Sequence, residues 1–305
     1  MKPAPASLRL TGATVLRDGA LQARSVAIED GVISKGPLPE VDLTGYLVLP
    51  GIVDPHGRAF ERHRALHDGV GDTLRATDRE AASNGITTAW LSHGWSWEGG
   101  YHAPQEAELF LRAREAHAEQ AMTDLRVQIR VETHTGDTVD ALLAAVRRHR
   151  VDFVLFENRL DEALIVAGTD RERHAQRARA AGRDPHDHRR VLARAAAMKP
   201  QAPRYLCRLA DAFDTLGVVY GSLQDGDGET RETFSMIGAK VCALPGRRSA
   251  AALARAVGDP ILLDATALQA PGSPMPPLAQ ELVRSGLCDA LATIGTYTAP
   301  ARAAF

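Results

Sequence analysis

The sequence predicts an α/β chain, a (β/α)8 TIM-type barrel preceded by a small N-terminal antiparallel β unit. Two observations carry the prediction. The first 46 residues alternate apolar and polar side chains and are punctuated by Asp-Gly dipeptides, the mark of short paired strands. From there onward eight strand-like runs alternate with helix-period stretches, the pattern of repeated β/α units. Periodicity alone fits a doubly wound open sheet nearly as well.

In the β unit, strands are expected at 8–10, 13–16, 25–28 and 32–34, with turns at Asp18-Gly19 and Asp30-Gly31. The first barrel strand follows a run, Leu47 to Leu49, that stops at Pro50-Gly51 and restarts as Ile52-Val53. It delivers Asp54 and His56 at its end. The next strands are expected at 86–92, 125–132, 152–156, 218–222, 240–243, 261–264 and 290–294, with helices at 105–121, 138–148, 205–216, 249–257 and 277–285. Gly217, Gly238, Gly258 and Gly286 each follow a helix and precede a strand, as C-terminal caps do. The domains are thus a β unit over 1–48 and a barrel over 49–305, with a basic helical insertion at about 161–198. That insertion, rich in Arg and His, reads either as a lid for an anionic group or as a solvated helical hairpin.

Bulk properties exclude some partners. Lys plus Arg (36) nearly balances Asp plus Glu (38), so charge makes no case for nucleic acid or a membrane surface. The three cysteines are far apart, which fits a reducing compartment rather than a disulfide framework. The N-terminus has no long apolar core of a leader, and no run reaches the roughly 18 apolar residues of a membrane helix. A cytoplasmic location is expected.

The strand ends hold the candidate chemistry. An imidazole at a barrel strand's C-terminal end can be aimed at a shared ion, and His56 stands there. Two positions on, where a second ligand would share the face, is Arg58. Strand three ends with Glu132 and His134, which face one ion if the strand stops there. Glu61, Arg62 and His63 form either a substrate-facing cluster or a salt-bridged loop. His93, beside Trp95 and Trp97, either lines the mouth or sits in a packed aromatic loop. Asp264 is a mouth carboxylate or the cap of the following turn. Glu157 and Asp225 are weaker candidates, and Asp225-Gly226-Asp227-Gly228 is also an ordinary turn.

These residues resemble a known family. A short β unit followed by a strand reading LPGxxDxH and a β/α barrel looks like the amidohydrolase superfamily. Within it, a His followed five and seven residues on by Glu and His (here His56, Glu61 and His63) resembles the PhnM-type branch of phosphonate metabolism. Gly85-Ile86-Thr87-Thr88 matches that family's GITT, and the closing part from Ser285 to Phe305 follows its order. The resemblance implies a divalent metal in the barrel mouth and hydrolysis of a ribosyl-alkylphosphonate triphosphate. It also implies a chain shortened at its C-terminus, a β unit with an open edge, and hence a homo-oligomer whose neighbouring subunit covers that edge.

Several positions depart from the family pattern. Arg58 replaces the second ligand, and a guanidinium cannot coordinate metal. Leu223 stands where strand five should carry an imidazole, and the last strand, Ala292 to Tyr297, lacks the carboxylate that serves as general base. Two functions follow. One is a hydrolase with one divalent metal (Zn, Mn or Fe) on His56, His134 and Glu132. There Glu132 and Asp264 would be catalytic, with Arg58, Glu61, Arg62, His63 and His93 on an anionic, phosphorylated small molecule. The other is a metal-free relative that binds an anionic ligand or stabilises an active homologue.

Overall fold

A computed structural model of the protein describes residues 7–268 and 277–304. The extreme N-terminus read for a leader, and Phe305 of the closing run, lie outside them. The chain divides into two compact units, Met1–Ile52 and Val53–Phe305. Among the described residues, no helix is long and apolar enough to cross a membrane.

The first unit holds β1 (Leu8–Thr11), β2 (Thr14–Arg17), β3 (Ala20–Ala23), β4 (Val26–Glu29), β5 (Val32–Ser34), β6 (Glu40–Asp42) and β7 (Leu47–Val48). Two antiparallel hairpins, β2–β3 and β4–β5, are its frame. Their turns are the expected ones. Asp18 and Gly19, and Asp30 and Gly31, all adopt positive φ, as the tight turn that matches strand twist demands. The hairpins belong to separate sheets, ordered β5-β4-β1-β6 and β3-β2-β7. In each, a later strand (β6 or β7) adds parallel to an earlier one. Leu47–Val48 therefore pairs with β2, and the barrel strand begins only after Pro50-Gly51.

The second unit is the barrel. Its strands are β8 (Ile52–Gly57), β9 (Ile86–Trp95), β10 (Asp124–Glu132), β11 (Phe153–Glu157), β12 (Val219–Leu223), β13 (Val241–Ala243), β14 (Ile261–Asp264) and β15 (Ala290–Ala292). They lie in strict sequence order, which selects the barrel over the doubly wound sheet, because the latter reverses direction at a switch point. The ends meet. Gly57 and Ile294 form a parallel bridge, and buried Asp54 accepts hydrogen bonds from Thr293 N (2.9 Å) and Thr293 Oγ1 (2.6 Å). Burial lifts the Asp54 carboxyl to about 6 against those bonds.

Helices alternate with the strands: α1 (Ala59–Arg64), α2 (Val70–Ser83), α3 (Pro104–His117), α4 (Val139–His149), α5 (Leu160–Thr169), α6 (Arg171–Ala180), α7 (Pro185–Ala197), α8 (Ala202–Leu216), α9 (Gly228–Met236), α10 (Arg248–Val257), α11 (Pro277–Arg284) and α12 (Ala299–Ala304). Gly217 and Gly258 close α8 and α10 in the left-handed conformation, which costs glycine no Cβ clash. The insertion between β11 and α8 is three helices, α5 to α7, around Leu160, Ala163, Leu192 and Ala195. Its arginines are largely engaged at the surface: Arg173 and Arg177 both pair with Glu162, Arg190 with Asp187, and Arg194 with Asp137.

Candidate functional site

The period of two decides which side chains enter the barrel. On β10, Arg126, Gln128, Arg130 and Glu132 share one face, and β11 places Leu155 and Glu157 opposite Arg130 and Glu132. Inside, Gln128 Nε2 donates to Pro55 O (3.1 Å), which turns its Oε1 toward His56 Nδ1 (2.5 Å). The Nδ1–H of His56 therefore donates to Gln128, and Nε2 keeps the lone pair. Burial, then Arg130 and Arg58, push this imidazole down to about 3, so it is neutral near pH 7.

Around His56 runs a chain of alternating charges. Arg58 Nε and Nη2 both donate to Glu61 Oε2, at 2.9 and 2.7 Å. Arg130 Nη2 stands 3.9 Å from the same oxygen, and Arg130 Nη1 donates to Glu157 Oε2 at 3.3 Å. Arg159 Nη1 donates to Glu157 Oε1 at 2.7 Å, and its Nε pairs with Glu98 Oε2 at 2.6 Å. Burial alone would raise Glu157, yet Arg130 and Arg159 outweigh it and hold the carboxyl at about 2. Burial also opposes ionisation of Glu61, and Arg58 and Arg130 again prevail to lower it. Arg130 is 2% exposed, and its Nε and Nη2 have no hydrogen-bond partner.

The sequence-expected residues do not gather into one site. His56, Arg58 and Asp264 line a common cavity of about 280 Å³ with Arg130, Glu157 and Arg159. Asp264 is already tied to its turn, accepting from Thr266 N (2.8 Å) and Oγ1 (2.6 Å). Glu132 is a bracket for the loop after β10, accepting from His134 N (2.7 Å), Thr135 Oγ1 (3.3 Å) and Arg159 N (3.3 Å). His134 binds Glu132 and opens onto a different cleft, beside Trp97 and Met198. Arg62 and His63 both turn to Glu80. His93 donates from Nδ1 to Gly94 O (2.9 Å) and is packed between Tyr101 and Phe110, which makes it a core histidine. Asp225 is structural too, in a buried cluster with Ser222 and Arg231 that Arg231 extends to Asp259.

The implied metal does not fit these residues. Glu132 and His134 meet, but His56 does not join them: the ligand atoms of the three do not all lie within 4.8 Å of one another. Among the described residues, the cluster that does is Asp184, His186 and Asp187, all exposed at the start of α7. There Asp184 is the helix cap, accepting from His186 N and Asp187 N. At His56 a cation would face the guanidinium groups of Arg130 and Arg58, whose charges already serve the carboxylates. Arg130, absent from the expected set, is the central residue of the mouth. Its signal was the polar alternation Arg126, Gln128, Arg130, Glu132, since a barrel strand with a polar inner face needs partners there.

No protein-family model and no curated protein sequence matches the chain. In fold it is similar to N-acetylglucosamine-6-phosphate deacetylase from Pasteurella multocida, with a TM-score of 0.59 and 10% identity over 95% of this chain and 72% of that one. L-hydantoinase from Arthrobacter aurescens is matched at a TM-score of 0.48 and 10% identity, over 94% of this chain and 68% of that one. Guanine deaminase from C. acetobutylicum is matched at 0.44 and 12%, over 95% and 76%. The deacetylase likeness establishes a shared fold and nothing finer.

Proposed function

We propose that this chain is of amidohydrolase descent and uses its barrel mouth to bind a small anion, with guanidinium groups in place of metal chemistry. One observation carries the reading: Arg130, 2% exposed at the cavity wall, has Nε and Nη2 without a hydrogen-bond partner, Nη2 keeping only the 3.9 Å ion pair to Glu61. Buried cationic donors left without a hydrogen bond cost free energy that an anion offsets. The descent is supported by the fold likeness and by the runs 47–63 and 85–88. The phosphonate-metabolism branch rests on those runs alone, and two of its residues, Arg62 and His63, are occupied by Glu80.

A metal-dependent hydrolase is the second reading, and one observation favours it: the lone pair on His56 Nε2 in a residue that lines the cavity. Two measurements separate the readings. Protein purified without chelator is expected to hold far less than an equivalent of Zn, Mn or Fe. Calorimetry is expected to show inorganic phosphate binding that weakens about tenfold or more in Arg130→Gln. A full equivalent of metal, with phosphate binding indifferent to Arg130, would return the chain to the hydrolases. Self-association belongs to the same proposal, because β5 carries Val32 and Ile33 exposed (66% and 78%) at the edge of its sheet. Light scattering that shows a monomer at all concentrations refutes it.

A further inference from the structure

The cavity at the mouth has two unlike walls. On one side are His56, Arg58, Arg130, Glu157 and Arg159. On the other are Leu223, Leu244, Leu263, Leu278, Leu282 and Ile294. Those apolar residues come from the ends of β12 and β14 and from the segments after β13, β14 and β15. At about 280 Å³ the space matches roughly nine water volumes of about 30 Å³ each. It suits a small organic molecule better than a nucleotide.

Charge limits the ligand further. Arg58, Arg130 and Arg159 are balanced by Glu61, Glu98 and Glu157. A polyphosphate would add several negative charges to a group that is already neutral. What no hydrogen bond takes is one edge of one guanidinium, whose Nη2 has only the 3.9 Å ion pair to Glu61. Arg130 Nη1 serves Glu157, whereas Nε and Nη2, the two donors that lie side by side on the fork, have no hydrogen-bond partner. That edge matches the two oxygens of a carboxylate.

Resting on the anion-binding reading, we infer that the ligand is a small monocarboxylate with an apolar body, its carboxylate drawn to the Arg130 edge and its body laid on the leucine wall. The charged wall sets orientation. The apolar wall supplies affinity in proportion to the area it takes from water.

The experiment is a calorimetric series on the full chain with acetate, butyrate, hexanoate and octanoate, the matched amides and alcohols, and inorganic phosphate. Affinity should rise about fourfold per added methylene until the cavity is filled. Amides and alcohols should bind at least about tenfold more weakly than the acids. Leu244→Asn, which suits the positive φ at that position, should flatten the dependence on chain length. Arg130→Gln should abolish binding. If that variant fails to fold, Arg58→Gln, which changes a partly exposed residue, should weaken every acid by a common factor.

Binding of phosphate or acetate with no chain-length dependence overturns this inference and leaves the anion reading intact. Amides that bind as well as acids overturn the carboxylate assignment. If no anion binds, both fall.

Discussion

The two halves of the barrel mouth were built differently. β8 carries His56 next to its end, and β9 to β11 end in Trp95, Glu132 and Glu157, with Arg58 and Arg159 just beyond β8 and β11. β12 to β15 end in Leu223, Ala243, Asp264 and Ala292, with Leu244 and Ile294 just beyond. In the first half, cohesion comes from ion pairs and hydrogen bonds between strands. In the second, it comes from a cluster of Leu223, Ala243, Leu262 and Ala292, packed against Phe153 and Leu155 of β11. Polar networks fail abruptly when one member is lost, because the rest are stranded in a poor solvent. Apolar clusters fail gradually. The two halves should therefore respond to different insults.

Acid should separate them most. His56, His93 and His102 are held by burial at about 3, 3 and 4, all below the ordinary value near 6.5. From about pH 6.5 down to 4 the unfolded chain binds protons that the folded chain refuses, so stability falls as pH falls. Three such groups give a slope of about 4 kcal/mol per pH unit, which Asp54, whose lifted carboxyl takes a proton first in the folded chain, cuts to about 3 kcal/mol per pH unit below pH 6. Glu157 adds a loss of the same sign lower down, as pH falls through its folded value of about 2. Urea denaturation at a series of pH values measures the slope. A curve flat between pH 6 and 4 would show that the charged half does not govern stability.

Arg130→Met comes next. It leaves Glu157 and Glu61 with less positive charge around buried or half-buried carboxylates, at an expected cost of about 3–5 kcal/mol. Adding Glu157→Gln should recover part of that loss, and a strictly additive double variant would deny the coupling.

Leu223→His puts back the imidazole that the family resemblance leads one to expect on strand five. In a site 8% exposed among apolar neighbours it should cost about 1–3 kcal/mol and bring no metal, as metal analysis would show. The smallest effect belongs to Glu61→Gln. Its side chain is 30% exposed, so stability should change by about 1 kcal/mol or less. Anion affinity should nonetheless increase, because Arg58 and Arg130 lose a competitor. A weaker anion complex would contradict the proposed site.

Much of the scaffold was readable in the chain. Asp18-Gly19, Asp30-Gly31, Gly217 and Gly258 each announce a backbone conformation that few residues adopt, and the eight strand runs stand between such signals. β3, β6 and β7 were missed because strands of two to four residues that lie largely exposed have too few apolar positions to show a period. The site was harder, because residue type says what a side chain can do and not what it is already doing. Glu61-Arg62-His63 looks like a binding cluster, and α1 spends two of the three on Glu80. Glu132 and His134 look like ligands, yet they satisfy each other locally. Arg130 could be found only by asking what a polar inner face would have to neutralise.

The Asp54–Thr293 clasp has a kinetic consequence. It joins residues 239 apart in sequence, and the neighbouring seam adds Arg58 N to Ile294 O (2.6 Å) and Ile294 N to His56 O (3.3 Å). Such a closure cannot form until the intervening β/α units have brought its ends together. The rolled sheet is then pinned last during folding and unpinned first during native-state fluctuation. Backbone amides of Arg58, Thr293 and Ile294 should exchange with solvent before those of β9 and β10, so the barrel opens along its seam like a cuff.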